Sequence, residues 1–128
     1  MKDDELVSVR YMVDDVQKAI DFYVEHFGFE LRHSALPAFA DVVRGRLRLL
    51  LAGPKSSAGR PMPDGRQPSP GGWNRIHFVV DDIVAEVERL QGAGVHFRNE
   101  ILAGPGGQQV LVDDPSGNPI EIFQPAGA

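Results

Sequence analysis

The sequence predicts an α+β fold made of two tandem βαβββ modules. Three observations predict it: a strand, Asp-Asp, helix signature that occurs twice; an apolar stripe at helical spacing after each Asp pair; and three turn-bounded strand-like runs after each stripe. The signature reads Val7-Ser8-Val9-Arg10-Tyr11-Met12-Val13 before Asp14-Asp15-Val16, and Asn74-Arg75-Ile76-His77-Phe78-Val79-Val80 before Asp81-Asp82-Ile83, 67 positions further on. Self-similarity at about half the chain length marks a duplicated supersecondary unit. A ferredoxin-like or other α+β sandwich would not ordinarily repeat that signature at that distance.

Each copy opens on a strand, and each Asp pair then supplies a helix N-cap whose carboxylate accepts from free backbone N–H groups of the first turn. In the first copy Val16, Ala19, Ile20, Tyr23 and Phe27 share one helical face, and Gly28 stands where a left-handed C-cap is expected. In the second, Ile83, Val87 and Leu90 form the stripe and Gly92 or Gly94 ends it. Strands are then expected over about 29–34, 38–44 and 47–52, and over about 95–101, 108–113 and 120–124, with Gly-Pro and Asp-Pro-Ser-Gly-Asn breaks between them. The chain is therefore read as a single domain, 1–128, with module 1 at about 1–52 and module 2 at about 74–125. Between them, Gly53 to Trp73 is dense in Gly, Pro, Ser and Arg. Loops of this length are linkers or functional lids, and a solvated linker is the plainer reading. Met62 and Trp73, the only tryptophan, are costly to leave in water, so part of the loop is expected to pack.

The bulk numbers exclude several classes. A chain of 128 residues with 42% hydrophobic content suits one compact core. A formal net charge of −5 argues against a general nucleic-acid or anionic-membrane binder, because those need a cationic surface to displace counterions. The absence of cysteine removes disulfides, thiolate metal sites and cysteine nucleophiles. The acidic start Met1-Lys2-Asp3-Asp4-Glu5 does not resemble a signal peptide, and no apolar run approaches the roughly 20 residues of a membrane span. A cytoplasmic protein is expected.

The order and spacing of these pieces resemble the vicinal oxygen chelate superfamily, the glyoxalase, bleomycin resistance protein and dioxygenase group. The resemblance runs over almost the whole chain. It is carried by Val13-Asp14-Asp15-Val16 with Ala19-Ile20-Asp21-Phe22-Tyr23 and Phe27-Gly28-Phe29, by Ile76-His77-Phe78-Val79-Val80-Asp81-Asp82 and Gly92-Ala93-Gly94-Val95, and by Asp114-Pro115-Ser116-Gly117-Asn118-Pro119-Ile120-Glu121. It implies the glyoxalase/bleomycin resistance fold, with paired modules forming a cup-shaped mixed sheet, often completed in a homodimer. It also implies two kinds of member. Some hold a divalent ion at four positions on the first and last strands of both modules and use it as a Lewis acid; others have lost the metal and bind drugs or aromatic metabolites. Family membership alone does not choose between them.

Carried over residue by residue, the second module supplies His77 and Glu121, a donor pair apt for Zn, Ni, Fe or Mn. The first module departs from the pattern. Aligning the Asp pairs sets Arg10 against His77, and a guanidinium has no lone pair to give a cation. Strand alternation puts Leu47, Leu49 and Leu51 on one face and Arg48 on the other, beside the counterpart of Glu121; strict alignment of Gly45 with Gly117 sets Leu49 there instead. Neither is a ligand. Metal loss is therefore the favoured expectation, with no cofactor, while His77 and Glu121 with waters or a partner's residues stay open as an incomplete metal set. A salt bridge from Arg10 or Arg48 to Glu121 is a third arrangement.

Arg10, Arg48, Trp73, His77, Glu121, Phe39 and Phe123 are thus the candidate ligand-binding residues, although the aromatics are more often core and His77 serves equally well as a hydrogen-bonded strand histidine. His33 and His96 read as exposed strand residues, and His26 as a helix C-terminal one. Two functions follow. The first is a metal-independent small-molecule binding protein of the bleomycin-resistance type, taking an aromatic or anionic metabolite or antibiotic. The second is a glyoxalase-like, metal-dependent lyase or epimerase in which Glu121 is the catalytic carboxylate and His77 its partner. A small-molecule ligand and a homodimer are the expected partners under either.

Overall fold

The computed structural model describes residues 5–127. The acidic run Met1–Asp4 and Ala128 lie outside the described residues. The chain divides after Gly71 into two compact units.

The first unit runs β1 (Val7–Met12), α1 (Val16–Phe27), β2 (Glu30–Ala35), β3 (Phe39–Arg44) and β4 (Leu47–Ala52). Its sheet has the order β1-β4-β3-β2, with β1 parallel to β4 and the other pairs antiparallel. The helix begins where expected: Asp15, in extended backbone, accepts from the Lys18 N–H at 3.0 Å. It ends where Gly28 turns left-handed at φ 68°, a conformation that costs a Cβ-bearing residue strain, and returns its N–H to the Tyr23 carbonyl. The predicted stripe of α1 is buried, joined by Phe22. It lies on the sheet face made by Tyr11, Ala40, Val42, Leu49 and Leu51, all buried. Tyr23 is fully buried, and its ring meets Tyr11, Phe22 and Phe29 edge-on at centroid distances of 6.4, 5.1 and 5.5 Å, the arrangement aromatic quadrupoles favour.

The second unit runs β5 (Ile76–Val79), α2 (Ile83–Gly92), β6 (His96–Phe97), β7 (Leu102–Gly104), β8 (Gly107–Asp113) and β9 (Pro119–Pro125). Its order is β5-β9-β8-β6, β7 also pairing with β8, and β5 is parallel to β9 as β1 is to β4. Asp82 caps α2 through the Ala85 N–H at 3.1 Å, and the helix closes at Gly92 with Ala93 as its cap. Ile83 and Leu90 are buried, while Val87 is only half-buried. The Asp-Pro-Ser-Gly-Asn break is a turn organised by the buried Asp114, whose carboxylate accepts from Ser116 N at 2.9 Å, Asn118 N at 3.0 Å and Asn118 Nδ2 at 3.0 Å.

Two expectations are corrected here. The single strand expected at about 95–101 is two short strands, β6 and β7, separated over 98–101. The interruption has a local cause: the Asn99 side-chain oxygen takes the Leu111 N–H at 2.8 Å, so a side chain replaces a backbone acceptor on that ladder. The loop from Gly53 to Trp73 also packs differently. The parts that pack are a 3-10 turn over Ser57–Gly59, held by the buried Ser56, and Gln67, whose amide donates to the Gly59 carbonyl at 2.6 Å. Met62 and Trp73 remain 44% and 71% exposed. Trp73 is accommodated by Arg98, whose guanidinium carbon stands 5.0 Å from its ring centroid, so one face is covered by a cation rather than by apolar packing.

Candidate functional site

Strand alternation gives each sheet one face toward its helix and one face away from it. In the second unit Phe78, Val110, Val112, Ile120 and Ile122 are buried, and His77, Glu121 and Phe123 project from the opposite face. Parallel register sets His77 directly against Glu121 and Val79 against Phe123. The Glu121 side chain is 10% exposed and has two partners. Arg75 Nε and Nη2 both reach Oε1 at 3.0 Å, and His77 Nε2 lies 3.3 Å from Oε2. The His77 ring also leans on Phe123, with centroids 5.0 Å apart and planes at 37°. The predicted trio His77, Glu121 and Phe123 is thus one contiguous cluster.

The salt-bridge partner of Glu121 is Arg75, in place of the expected Arg10 or Arg48. Arg75 stands two residues before His77, just ahead of β5, so alternation could have pointed to its side of the sheet, whereas its pairing with Glu121, 46 residues on, could not be read from the sequence. Arg48 is committed within its own sheet, its Nε donating to Ser8 Oγ at 3.0 Å and its Nη1 lying 3.7 Å from Asp41 Oδ2.

In the first unit Arg10 pairs in register with Leu50. Because His77 pairs with Glu121, the counterpart of Glu121 is Leu50, which corrects the two sequence alignments, Arg48 and Leu49, by two residues and by one. Leu49 is fully buried on the helix side, whereas Arg48 and Leu50 share the opposite face. Phe39, half-buried, stands on that face beside Ala52. So does Asp41, which the sequence reading passed over. It is 2% exposed and lies within 4.0 Å of Arg32, His33 and Arg48. A carboxylate in the middle of the run Phe39-Ala40-Asp41-Val42-Val43 was the available signal, since buried charge needs partners.

His33 and His96 are exposed as expected, yet neither is solitary: His33 Nδ1 lies 3.3 Å from Asp41 and His96 Nδ1 3.0 Å from Asp113. The Trp73 ring lies against Arg98, while its carbonyl accepts from Arg75 Nη1 at 3.3 Å. Arg98 is fixed by Asp113 Oδ1 at 2.7 Å and by the Gly72 and Gly117 carbonyls at 3.2 and 3.0 Å.

Two units with the same strand–helix–strand order, a parallel first–last strand pair in each and a His–Glu pair on the second of those pairs define the class of paired βαβββ proteins. The chain belongs to the Glyoxalase/Bleomycin resistance protein/Dioxygenase superfamily, whose family model matches residues 5–122. Among solved structures it is similar to a member of that superfamily from Sphaerobacter thermophilus DSM 20745, at 29% identity over 93% of this chain and 95% of that one, with a TM-score of 0.74. It is also similar to TnmS3, an antibiotic binding protein from Streptomyces sp. CB03234, at 29% identity over 98% and 99% of the two chains and a TM-score of 0.72. A lactoylglutathione lyase from Agrobacterium tumefaciens shares the fold at 22% identity, covering 93% and 92%, with a TM-score of 0.73. No curated protein matches the sequence.

The family's divalent ion does not fit the residues present. Of the four matched positions, Arg10 and Leu50 offer no donor, and at Glu121 one carboxylate oxygen already takes two guanidinium N–H groups. Among the described residues no three His, Cys, Asp or Glu side chains are grouped to hold a metal. What the arrangement offers instead is fixed hydrogen-bonding groups beside half-buried apolar side chains. No helix is long and apolar enough to cross a membrane.

Proposed function

We propose that this protein is a metal-independent small-molecule binding protein of the bleomycin-resistance type, taking an aromatic or anionic metabolite or antibiotic on a sheet face turned away from its helix. One observation carries the reading: Glu121, at the position where a metal-dependent relative would present a ligand, is bound by the Arg75 fork and by His77. A guanidinium at hydrogen-bonding distance repels a divalent cation and satisfies the carboxylate that would have held it. The likeness to an antibiotic binding protein at 29% identity and nearly full coverage supports the same reading. The cluster of His77, Phe123, Glu121 and Arg75 supplies what such a ligand uses, an apolar ring surface with a few oriented polar groups.

The test is calorimetric titration of the protein with Zn²⁺ and with Ni²⁺, followed by titration of the metal-free protein with planar aromatic compounds. The expected result is no stoichiometric metal binding at micromolar concentration and measurable aromatic binding without metal. Arg75→Ala, which releases Glu121, should gain weak affinity for both ions. Tight binding of one equivalent of metal by the parent would instead favour a glyoxalase-like lyase or epimerase. The observation that speaks for that second reading is the 3.3 Å contact of His77 Nε2 with Glu121 Oε2, a pair able to exchange a proton with a bound substrate.

The proposal includes a cytoplasmic homodimer. Two-fold association is the commonest assembly of a soluble homo-oligomer, and the family resemblance implies it here. Light scattering on the purified protein should report twice the 14.0 kDa chain mass; a monomer at micromolar concentration would remove this part.

A further inference from the structure

We propose that the face of the first sheet turned away from α1 receives the anionic group of the ligand, a carboxylate or a phosphate, at Arg10 and Arg48, with Asp41 as the positioning residue for Arg48. The inference rests on the small-molecule reading above and assigns the chemistry of one part of that ligand.

The register lays the face out in rows. One row runs Arg10, Leu50, Asp41, His33 across β1, β4, β3 and β2; the next, toward the loop, runs Met12, Ala52, Phe39, Ala35. Arg48 stands on the other side of Leu50, opposite Ser8. The β2–β3 pairing carries an irregularity between Leu31 and His33, so that Arg32 and His33, successive residues, both reach the same carboxylate, Asp41, at 4.0 and 3.3 Å. Bulges of this kind re-aim side chains. Three guanidinium groups, Arg10, Arg32 and Arg48, and two carboxylates, Asp41 and the exposed Glu30 opposite Val43 in the row of Arg48, therefore share the face, an excess of one positive charge on a chain whose formal net charge is −5.

Asp41 gives this excess its order. Its side chain is 3% exposed; Oδ2 faces Arg32 and Arg48 at 4.0 and 3.7 Å, and Oδ1, which has no hydrogen-bond partner, lies 3.3 Å from His33 Nδ1. Arg48 is drawn between Asp41 and Ser8, which fixes the guanidinium without neutralising the face. Arg10 is exposed and has no ion pair among the described residues. A fixed fork two residues before a half-buried leucine, and a free one beside that leucine on the neighbouring strand, can take up the oxygens of one oxyanion. The neighbouring apolar row ends at Met12, which lines a cavity of about 340 Å³ with Pro68, Ser69 and Pro70 of the long loop, so an apolar body attached to the anion has a place to lie.

The experiment is amide NMR titration of the full chain with benzoate and phenyl phosphate, with benzyl alcohol as the uncharged analogue and inorganic phosphate as the ring-free one. Benzoate or phenyl phosphate should move the amides of Arg10, Arg48 and Leu50 and bind at least about tenfold more tightly than benzyl alcohol, the scale of one charge-assisted hydrogen bond. Arg10→Ala and Arg48→Ala should each weaken that binding about tenfold, and Arg66→Ala, on the exposed loop, should leave it unchanged. Asp41→Asn adds positive charge to the face, yet should weaken the anion by releasing Arg48; a tightening would overturn its positioning role. Equal binding of benzyl alcohol, or full affinity in both arginine variants, would overturn the anion assignment while leaving the small-molecule reading intact. No response to any of the four compounds would overturn both.

Discussion

Tyr23→Ala should destabilise the protein by about 3–5 kcal/mol, the range measured for removing a large buried aromatic. Tyr23 has no exposed surface and is the hub of an aromatic cluster in which Tyr11, Phe22 and Phe29 each meet its ring. Truncation removes those contacts and opens a space that neighbours on a helix and a sheet cannot fill without moving their backbones. Urea unfolding of the variant and the parent would give the difference directly. A loss below about 1 kcal/mol would mean that the helix can collapse onto the sheet, and that α1 is held mainly by its other buried positions. Because α1 covers the opposite side of the sheet that carries Arg10 and Arg48, the variant should also blur the geometry of that face.

The second large effect belongs to Arg75 and Glu121. Glu121→Ala should cost about 2 kcal/mol, because it leaves Arg75 without its carboxylate in a setting where both side chains are largely screened from water, 29% and 10% exposed. The clean measurement is a double-mutant cycle with Arg75→Ala, whose coupling energy isolates the pair from the packing of either side chain. A coupling near 2 kcal/mol supports a carboxylate committed to the guanidinium. A coupling near zero would show that Glu121 is held independently and is free to serve a metal or a proton, which is the requirement of the enzyme reading.

The sequence determined by itself everything that depends on local chemistry and on the repeat. The two Asp pairs fixed where α1 and α2 begin, because an N-cap needs only a carboxylate within reach of the N–H groups three residues on. Gly28 marked the end of α1 because few other residues take up a left-handed φ without strain. The repeat aligned Arg10 with His77, and each stands on an opening strand that runs parallel to the closing strand of its own unit. The lost donors of the first module were legible for the same reason.

What the tertiary structure alone decided are the pairings between residues far apart in the chain. The counterpart of Glu121 is Leu50 because the β1–β4 register is set by the packing of two sheet faces, which neither the loop lengths nor the glycines report. Glu121 meets Arg75, 46 residues away, and not Arg10 or Arg48, because a salt bridge is chosen by which strand lies alongside rather than by charge type. Asp41 acquires its role only when β2, β3 and β4 come together and bring Arg32, His33 and Arg48 to one carboxylate. Trp73, whose composition argued for burial, stays exposed because Arg98 is fixed beneath it by Asp113 and two carbonyls from distant turns. In each case the deciding quantity is a distance between strands, and a linear sequence specifies that only through the whole of its packing.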